Sequence, residues 1–162
     1  VQFLVDGVRL GYITGNIKNT VGHLTLDKDI KITFETKAQS KIKATMVNDK
    51  PVIDVNIEIN QNIAAVEGYF DTSKKENIDL LNEKTRDKLK FICEETITEA
   101  KKMESDIFGF GEAIHRKYPK KWKELKDDWD KHFKDLKVNI NIKVVTDRTG
   151  LSSIPYFMKK KE

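Results

Sequence analysis

Two carboxylates, Asp106 and Glu112, bracket a turn built around Gly109-Phe110-Gly111 and are the first candidates for acid–base chemistry. General acid–base catalysis needs such a pair held within reach of one reacting group. Here a glycine turn leaves their separation undefined, and no nucleophile or oxyanion donor accompanies them. The simpler expectation is that both tie down a corner, accepting from backbone amides or from Arg116. Gly109-Phe110-Gly111 also invites comparison with a nucleotide loop. It follows a helical pattern rather than a strand, Ile114 stands where the third glycine would be, and no Gly-Lys-Ser/Thr occurs. Phe108 and Phe110 are then core anchors of a tight corner, and the glycines supply backbone angles that a β-carbon would forbid.

Metal chemistry finds little purchase. His23, His115 and His132 are the only histidines, and none lies three or four residues from another. Asp127, Asp128 and Asp130 lack the glycine and closing glutamate of a calcium loop and read as a solvated helix face. The single cysteine, Cys93, is followed by Glu94 and Glu95, whereas a reactive thiolate wants basic neighbours. It reads as a small buried hydrophobe. Neither a cofactor, a metal nor an enzymatic activity is expected.

Charge is more informative. Of the formal +4, residues 1–70 contribute nothing, residues 71–112 contribute −3 and residues 113–162 contribute +7. Arg116, Lys117, Lys120, Lys121, Lys123 and Lys126 face a single acid, Glu124, with Tyr118 and Trp122 interleaved. Basic residues alternating with aromatics suit a nucleic-acid surface, yet both aromatics also fit core-facing positions. Lys120 and Lys121 sit in the first turn of a helix, where the helix dipole disfavours cations by about 0.3–1 kcal/mol each. Positive charge placed there suggests a use, such as an acidic protein partner or anionic lipid headgroups. This run is the candidate interaction face.

These groups need a scaffold. With 162 residues, 38% hydrophobic and 35% charged, the chain can bury one real core, and residues 1–162 are taken as a single domain. No apolar run approaches the roughly 18 residues of a membrane helix. The chain starts at Val1 without initiator Met or signal-peptide pattern, so it reads as excised from a longer protein with any targeting signal upstream.

Residues 3–14 are β-prone around an Asp6-Gly7 turn and suggest a short hairpin or strand edge. Alternation begins at Leu24, resumes at Ile30, Ile32 and Phe34 beyond an Asp27-Lys28-Asp29 bulge or turn, and repeats at Ile42, Ala44 and Met46. Asn48-Asp49-Lys50-Pro51 is a turn. Ile53, Val55, Ile57 and Ile59 then line one face of the clearest strand, giving an antiparallel hairpin with one wet face. From Ile78 to Ile107 the apolar period lengthens to three and four, and no glycine or proline interrupts residues 73–108, so one long helix is expected there, with Gly109 as its left-handed cap. Pro119 suits the first turn of a second helix, 119–137, whose stripe is Trp122, Leu125, Trp129, Phe133 and Leu136. Val138, Ile140, Ile142 and Val144 form a closing strand, followed by a turn at 148–150 and a frayed lysine tail. The expected fold is α+β, an antiparallel sheet of about four to five strands under one long and one shorter helix, with the Phe108–Glu112 corner joining the two.

The order Asp106-Ile-Phe-Gly-Phe-Gly-Glu112, Ile114-His-Arg-Lys, Pro119, Trp122, Trp129 and Phe133 resembles the C-terminal domain of the Ger(x)C family. These are the C-subunit lipoproteins of the nutrient germinant receptors of bacterial endospores. Gly11-Tyr-Ile, Ser40-Lys-Ile-Lys43, Asn48-Asp-Lys-Pro51 and Val138-Asn-Ile-Asn-Ile extend the resemblance over residues 11–155. It departs at Asp147, where a basic residue is expected, and at Ile63-Ala64-Ala65, which lacks an acid. The resemblance implies a soluble, non-enzymatic structural and interaction domain needed for nutrient-triggered germination. Its implied partners are the membrane-embedded receptor subunits. The full-length protein would be lipid-anchored, upstream of this chain, on the outer face of the spore inner membrane. Asp106, Phe108, Gly109, Phe110, Gly111, Glu112, Trp122 and Trp129 then serve as motif residues. The alternative is an anionic-surface binding module, for nucleic acid or lipid headgroups, working through residues 116–126.

Overall fold

The computed structural model describes residues 12–14 and 20–147. Four strands form one sheet in the order β1-β2-β3-β4. β1 (Thr20–Asp27), β2 (Ile30–Val47) and β3 (Lys50–Glu67) make an antiparallel meander. The alternation drives it: Ile32, Phe34, Ala38 and Ala44 of β2 and Ile53, Val55, Ile57, Ile59 and Ile63 of β3 are buried, while Lys41, Glu58 and Asn60 stay exposed. The β2–β3 connection is tighter than the four-residue turn expected. Asn48 (φ 50°) and Asp49 (φ 61°) alone make it, with Val47 opposite Lys50 and Pro51 already in the strand opposite Met46. Two positive φ angles define the mirror-image turn whose twist matches the strands, and Asn and Asp tolerate them best. Lys28-Asp29 is likewise a two-residue turn, with Asp27 opposite Ile30 and the Lys28 amide donating to the Asp27 carboxylate at 2.6 Å.

The expected hairpin at residues 3–14 lies mostly outside the described residues, and where described, at 12–14, the chain forms a helical turn. The expected turn at 148–150 and the lysine tail also lie outside them.

After β3 the chain enters α1 (Lys75–Lys102), which buries Ile78, Leu81, Leu89, Cys93, Ile97 and Ala100. It ends six residues earlier than expected. The amides of Glu104 and Ser105 donate to the carbonyls of Lys101 and Ala100, a Schellman closure in which Glu104 takes the left-handed position at φ 52°. Glycine normally fills that position, so composition gave no stop signal. Met103 and Ile107, expected on the buried stripe, are exposed. Glu104→Gly is therefore expected to stabilise the fold by about 1 kcal/mol, the strain of a left-handed residue with a β-carbon. Urea unfolding would check it, an unchanged or lower midpoint counting against the assignment. Removing the contact of Lys134 with Glu104 (3.3 Å, both side chains exposed) should offset little of this.

The second helical region is also divided. Between the corner and Pro119 lies an unexpected helix, α2 (Phe110–Lys117), and Gly109 (φ 77°) precedes α2 rather than closing α1. The expected 119–137 helix is α3 (Pro119–Leu125), a 3-10 turn (Lys126–Asp128) and α4 (Trp129–Asp135). Pro119 does occupy the first turn of α3.

β4 (Lys137–Asp147) corrects the antiparallel expectation, because it pairs parallel to β3, starting at Val52↔Lys137. The sheet is mixed, the fold α+β. α1 returns the chain to the end where β3 begins, and the Lys101 ammonium donates to the carbonyl of Leu136 at the threshold of β4. A strand launched from that end can only run parallel to its neighbour. Gln61, 1% exposed, locks the crossover: its amide donates to Thr85 (3.2 Å) and Thr146 (2.9 Å), and Thr146 donates to Asn82 (2.6 Å). A buried amide satisfied this way fixes register as well as adding stability. The main core spans Ile53–Ile59, the α1 stripe and the aromatic corner, and a smaller cluster around Ile32, Phe34, Ile63, Phe70 and Leu81 fills the far end.

Candidate functional site

Residues 103–109 cross from α1 to α2 and carry Asp106 to the start of α2. Its carboxylate is fully engaged. Oδ1 accepts from the Phe110 amide (3.0 Å), and Oδ2 accepts from the Gly111 amide (2.7 Å) and the Trp129 indole (3.1 Å). The first amides of a helix have no intrahelical acceptor, and an anion there also meets the positive end of the dipole. Asp106 thus does from three residues upstream of Gly109 what a capping side chain does from the cap position itself. Glu112 lies on the surface, 3.6 Å from His115 Nδ1 and 3.8 Å from Arg116 Nε. With its oxygens committed to three donors, Asp106 is a tether, and an Asp106–Glu112 acid–base pair is set aside.

Around this tether runs a continuous aromatic chain. Phe108 stacks on Phe110 (5.0 Å), Phe110 meets Phe133 (6.3 Å), Phe133 meets Trp129 (6.3 Å), Trp129 meets Trp122 edge-on (5.2 Å), and Trp122 stacks on His115 (5.8 Å). Gly111 sits where the two indoles converge. A β-carbon there would lie 2.8 Å from Trp122 Cη2 and 2.9 Å from Trp129 Cε2 and Nε1. Its role is close packing rather than turning, which spacing could not show.

The basic run is split by the fold. Lys117, exposed at the surface, donates to the Ala44 carbonyl (2.9 Å) and lies 5.4 Å over the Tyr118 ring. Lys121 bridges Asp49 (2.7 Å) and Glu124 (2.9 Å), and hydrogen bonds to these two carboxylates hold its ammonium above the usual lysine range. Arg116 is exposed beside Glu112, and Lys120, Lys123 and Lys126 are exposed. Tyr118 and Trp122 are half-buried against the core, so they present no stacking platform. The β2–β3 hairpin meets this run through the Ala44 carbonyl and Asp49, contacts hidden by some 70 residues of intervening sequence.

Elsewhere the chemistry is quiet. Cys93 is buried, and burial, with the charge of Glu94, pushes its thiol up to about 12. Among the described residues, no three His, Cys, Asp or Glu side chains gather as metal ligands, and no helix is long and apolar enough to cross a membrane. An open hollow of about 810 Å³ lies against Val21, Glu35, Lys37, Asn60, Val145 and Asp147, and a smaller apolar slot of about 190 Å³ lies between β1 and α1.

Comparison with known proteins gives this corner a context. Residues 7–150 match the family model for the spore germination B3/GerAC-like C-terminal region. The chain is 31% identical over 129 residues to spore germination protein KC of Bacillus subtilis (strain 168), covering 79% of this chain and 32% of that protein. It also resembles the crystal structure of the GerBC protein, with a TM-score of 0.78 at 23% identity over 88% of this chain and 45% of that one. That likeness shows a shared fold, and the chain spans about a third of the first relative and under half of the second. With the match running across nearly all of the described fold, this chain belongs to the spore germination B3/GerAC-like C-terminal family.

Proposed function

We propose that this domain is a non-enzymatic structural and interaction module of a germinant-receptor C subunit. It acts in nutrient-triggered germination through contacts with the membrane-embedded subunits of the same receptor. The observation that carries this reading is the family match over residues 7–150. The geometry supports it: the most chemically suggestive stretch of the chain spends its carboxylate on holding α2 and Trp129 in place. In this proposal the full-length subunit is lipid-anchored at the outer face of the spore inner membrane, and the domain presents its surface to its partners there.

The test is made in spores. The full-length subunit carrying a replacement of this domain by an unrelated domain of similar size should abolish the loss of optical density triggered by nutrients. Release by lysozyme, which cleaves peptidoglycan directly, should be intact. Co-purification of the receptor subunits, with cross-links mapped to this domain, reads the contact directly. Normal nutrient germination with the replacement domain present at wild-type levels would overturn the proposal.

A further inference from the structure

The sheet has a second face, opposite the helices, and its side-chain ladder changes character along its length. Toward the start of β4, Asn139 donates to Asp54 (2.8 Å) and Asn141 to Asn56 (3.1 Å), so polar neighbours on β3 and β4 satisfy one another. Two rows farther on the pattern stops, because Asn60 stands beside Val145 and Asn62 beside Asp147. On β2 the same rows carry Lys37 and Glu35, and Val21 of β1 lies opposite Glu35. Glu35, Lys37, Asn60 and Asn62 are exposed and form no side-chain hydrogen bond or ion pair with another described residue. The open hollow of about 810 Å³ occupies these rows and draws its lining from all four strands, so the face is concave there. Its floor is polar. Its two rims, on the edge strands β1 and β4, carry Val21 and Val145, 60% and 45% exposed.

The floor narrows the occupant. Glu35 and Asp147 outweigh Lys37, which disfavours the phosphates of nucleic acid or anionic lipid. Among the described residues no aromatic ring lines the hollow to stack on a base or a sugar. A helix has its main-chain groups bonded internally and would leave the two amides unmatched. An extended chain would not. Standing edge-on, it presents the N–H and C=O groups of alternate residues to one side, a repeat of roughly 6.7 Å, and sends its side chains left and right. Asn60 and Asn62 are two residues apart on β3, and Glu35 and Lys37 two residues apart on β2, which is the same repeat. An Asn amide both donates and accepts, a carboxylate accepts from N–H, and an ammonium donates to C=O. The valine rims lie where the side chains of such a segment would point.

We propose that this trough takes an extended, edge-on segment of a protein partner. Glu35, Lys37, Asn60 and Asn62 recognise its main chain, and Val21 and Val145 receive small apolar side chains on either side. This assignment rests on the reading of the domain as an interaction module and gives that module its contact surface. Contact made to the main chain tolerates changes in the partner's side chains.

Photo-cross-linking in intact receptors is the first test. Benzoylphenylalanine replaces Gln39, exposed on the same face one row from the hollow, in the full-length subunit, and Lys90 on α1 serves as the control position. Adducts to a segment of another receptor subunit are expected from position 39 and not from position 90. That segment, made as a fluorescent peptide, is then titrated with this chain. N60A/N62A should weaken binding at least about tenfold, the worth of two amides that each make paired hydrogen bonds. N-methylation of the peptide at every second residue, in the register facing the floor, should weaken it about tenfold or more, and in the other register less than about threefold. The N-methyl comparison uses the unaltered chain and so stands whether or not the variant folds. Three results overturn the proposal: no protein adduct from position 39, full affinity in N60A/N62A, or equal losses in the two N-methyl registers. Spores separate it from the broader function. If domain replacement abolishes nutrient germination while E35A/K37A/N60A/N62A, present at wild-type levels, germinates normally, the trough is refuted and the interaction module stands.

Discussion

Asp106→Ala is expected to lower the free energy of unfolding by about 2–4 kcal/mol, the range for stripping charge-assisted acceptors from buried donors and a favourable charge from a helix start. Three donors lose their acceptor at once: the amides of Phe110 and Gly111 and the Trp129 indole. Water can reach the amides once the carboxylate is gone, which keeps the loss below the sum of three fully buried bonds. The indole is worse placed, pinned between Trp122, Phe133 and the backbone of α2. Asp106→Asn separates the contributions. Its amide oxygen can still accept from the Phe110 or Gly111 amide, but its NH2 cannot accept from the second donor set, so about half the loss should remain. Urea unfolding followed by tryptophan fluorescence reads both effects, because the Trp129 environment changes as well. A midpoint for Asp106→Ala within error of wild type would show that the tether is ornamental. In a spore assay the same variant tests whether a loosened corner, with every surface lysine untouched, is enough to impair germination.

Gly111→Ala comes next, destabilising by about 1–2 kcal/mol net. The overpacking cost of about 1–3 kcal/mol is partly offset by the better helix propensity of alanine, worth up to about 1 kcal/mol. The added methyl would meet Trp122 Cη2 and two atoms of the Trp129 indole, all under 3 Å. Neither ring has an easy retreat, since His115 backs Trp122 and Phe133 backs Trp129. A double-mutant cycle makes the assignment sharp. Trp122→Phe removes the outer ring that the methyl strikes, so the Gly111→Ala cost should shrink by 0.5 kcal/mol or more in that background. Strict additivity would mean that the glycine serves the backbone and not the indoles.

The residues of the sheet announced themselves, since Ile53, Val55, Ile57 and Ile59 can only be segregated from Asp54, Asn56, Glu58 and Asn60 by an extended chain. Alternation has no direction, however, and nothing in Val138–Val144 says which way β4 runs. That is decided by where α1 delivers the chain, a property of element lengths rather than of local pattern. The end of α1 was hidden because Glu104 occupies a glycine's position. α2 was hidden for a related reason. Its eight residues are held by a carboxylate from outside the helix and by aromatic packing, neither of which leaves a periodic mark in so short a span. At the corner, residue types were legible but partners were not. Asp106 as a receiver of amides and Glu112 as a neighbour of Arg116 follow from chemistry alone. The convergence of two indoles on Gly111 depends on the angles that α3 and α4 make with α2. The same holds for the basic face: Lys117 and Lys121 look like free charges until the β2–β3 turn arrives from far along the chain to occupy them.

The parallel seating of β4 has a kinetic consequence. The β1–β2–β3 meander joins residues that are neighbours along the chain, and its first contacts across the Asn48-Asp49 turn form almost as soon as the turn does. Asp54 and Asn139, by contrast, are separated by 85 residues. Closing a loop of that size costs of the order of 4 kcal/mol in chain entropy before any contact compensates it. Until α1 has formed and laid itself down, the long edge of β3, with its buried-face isoleucines and open hydrogen-bonding groups, has no partner. During synthesis that edge waits for the whole helical segment to emerge. Of all surfaces of the nascent chain it is the one most in need of protection from pairing with a neighbour.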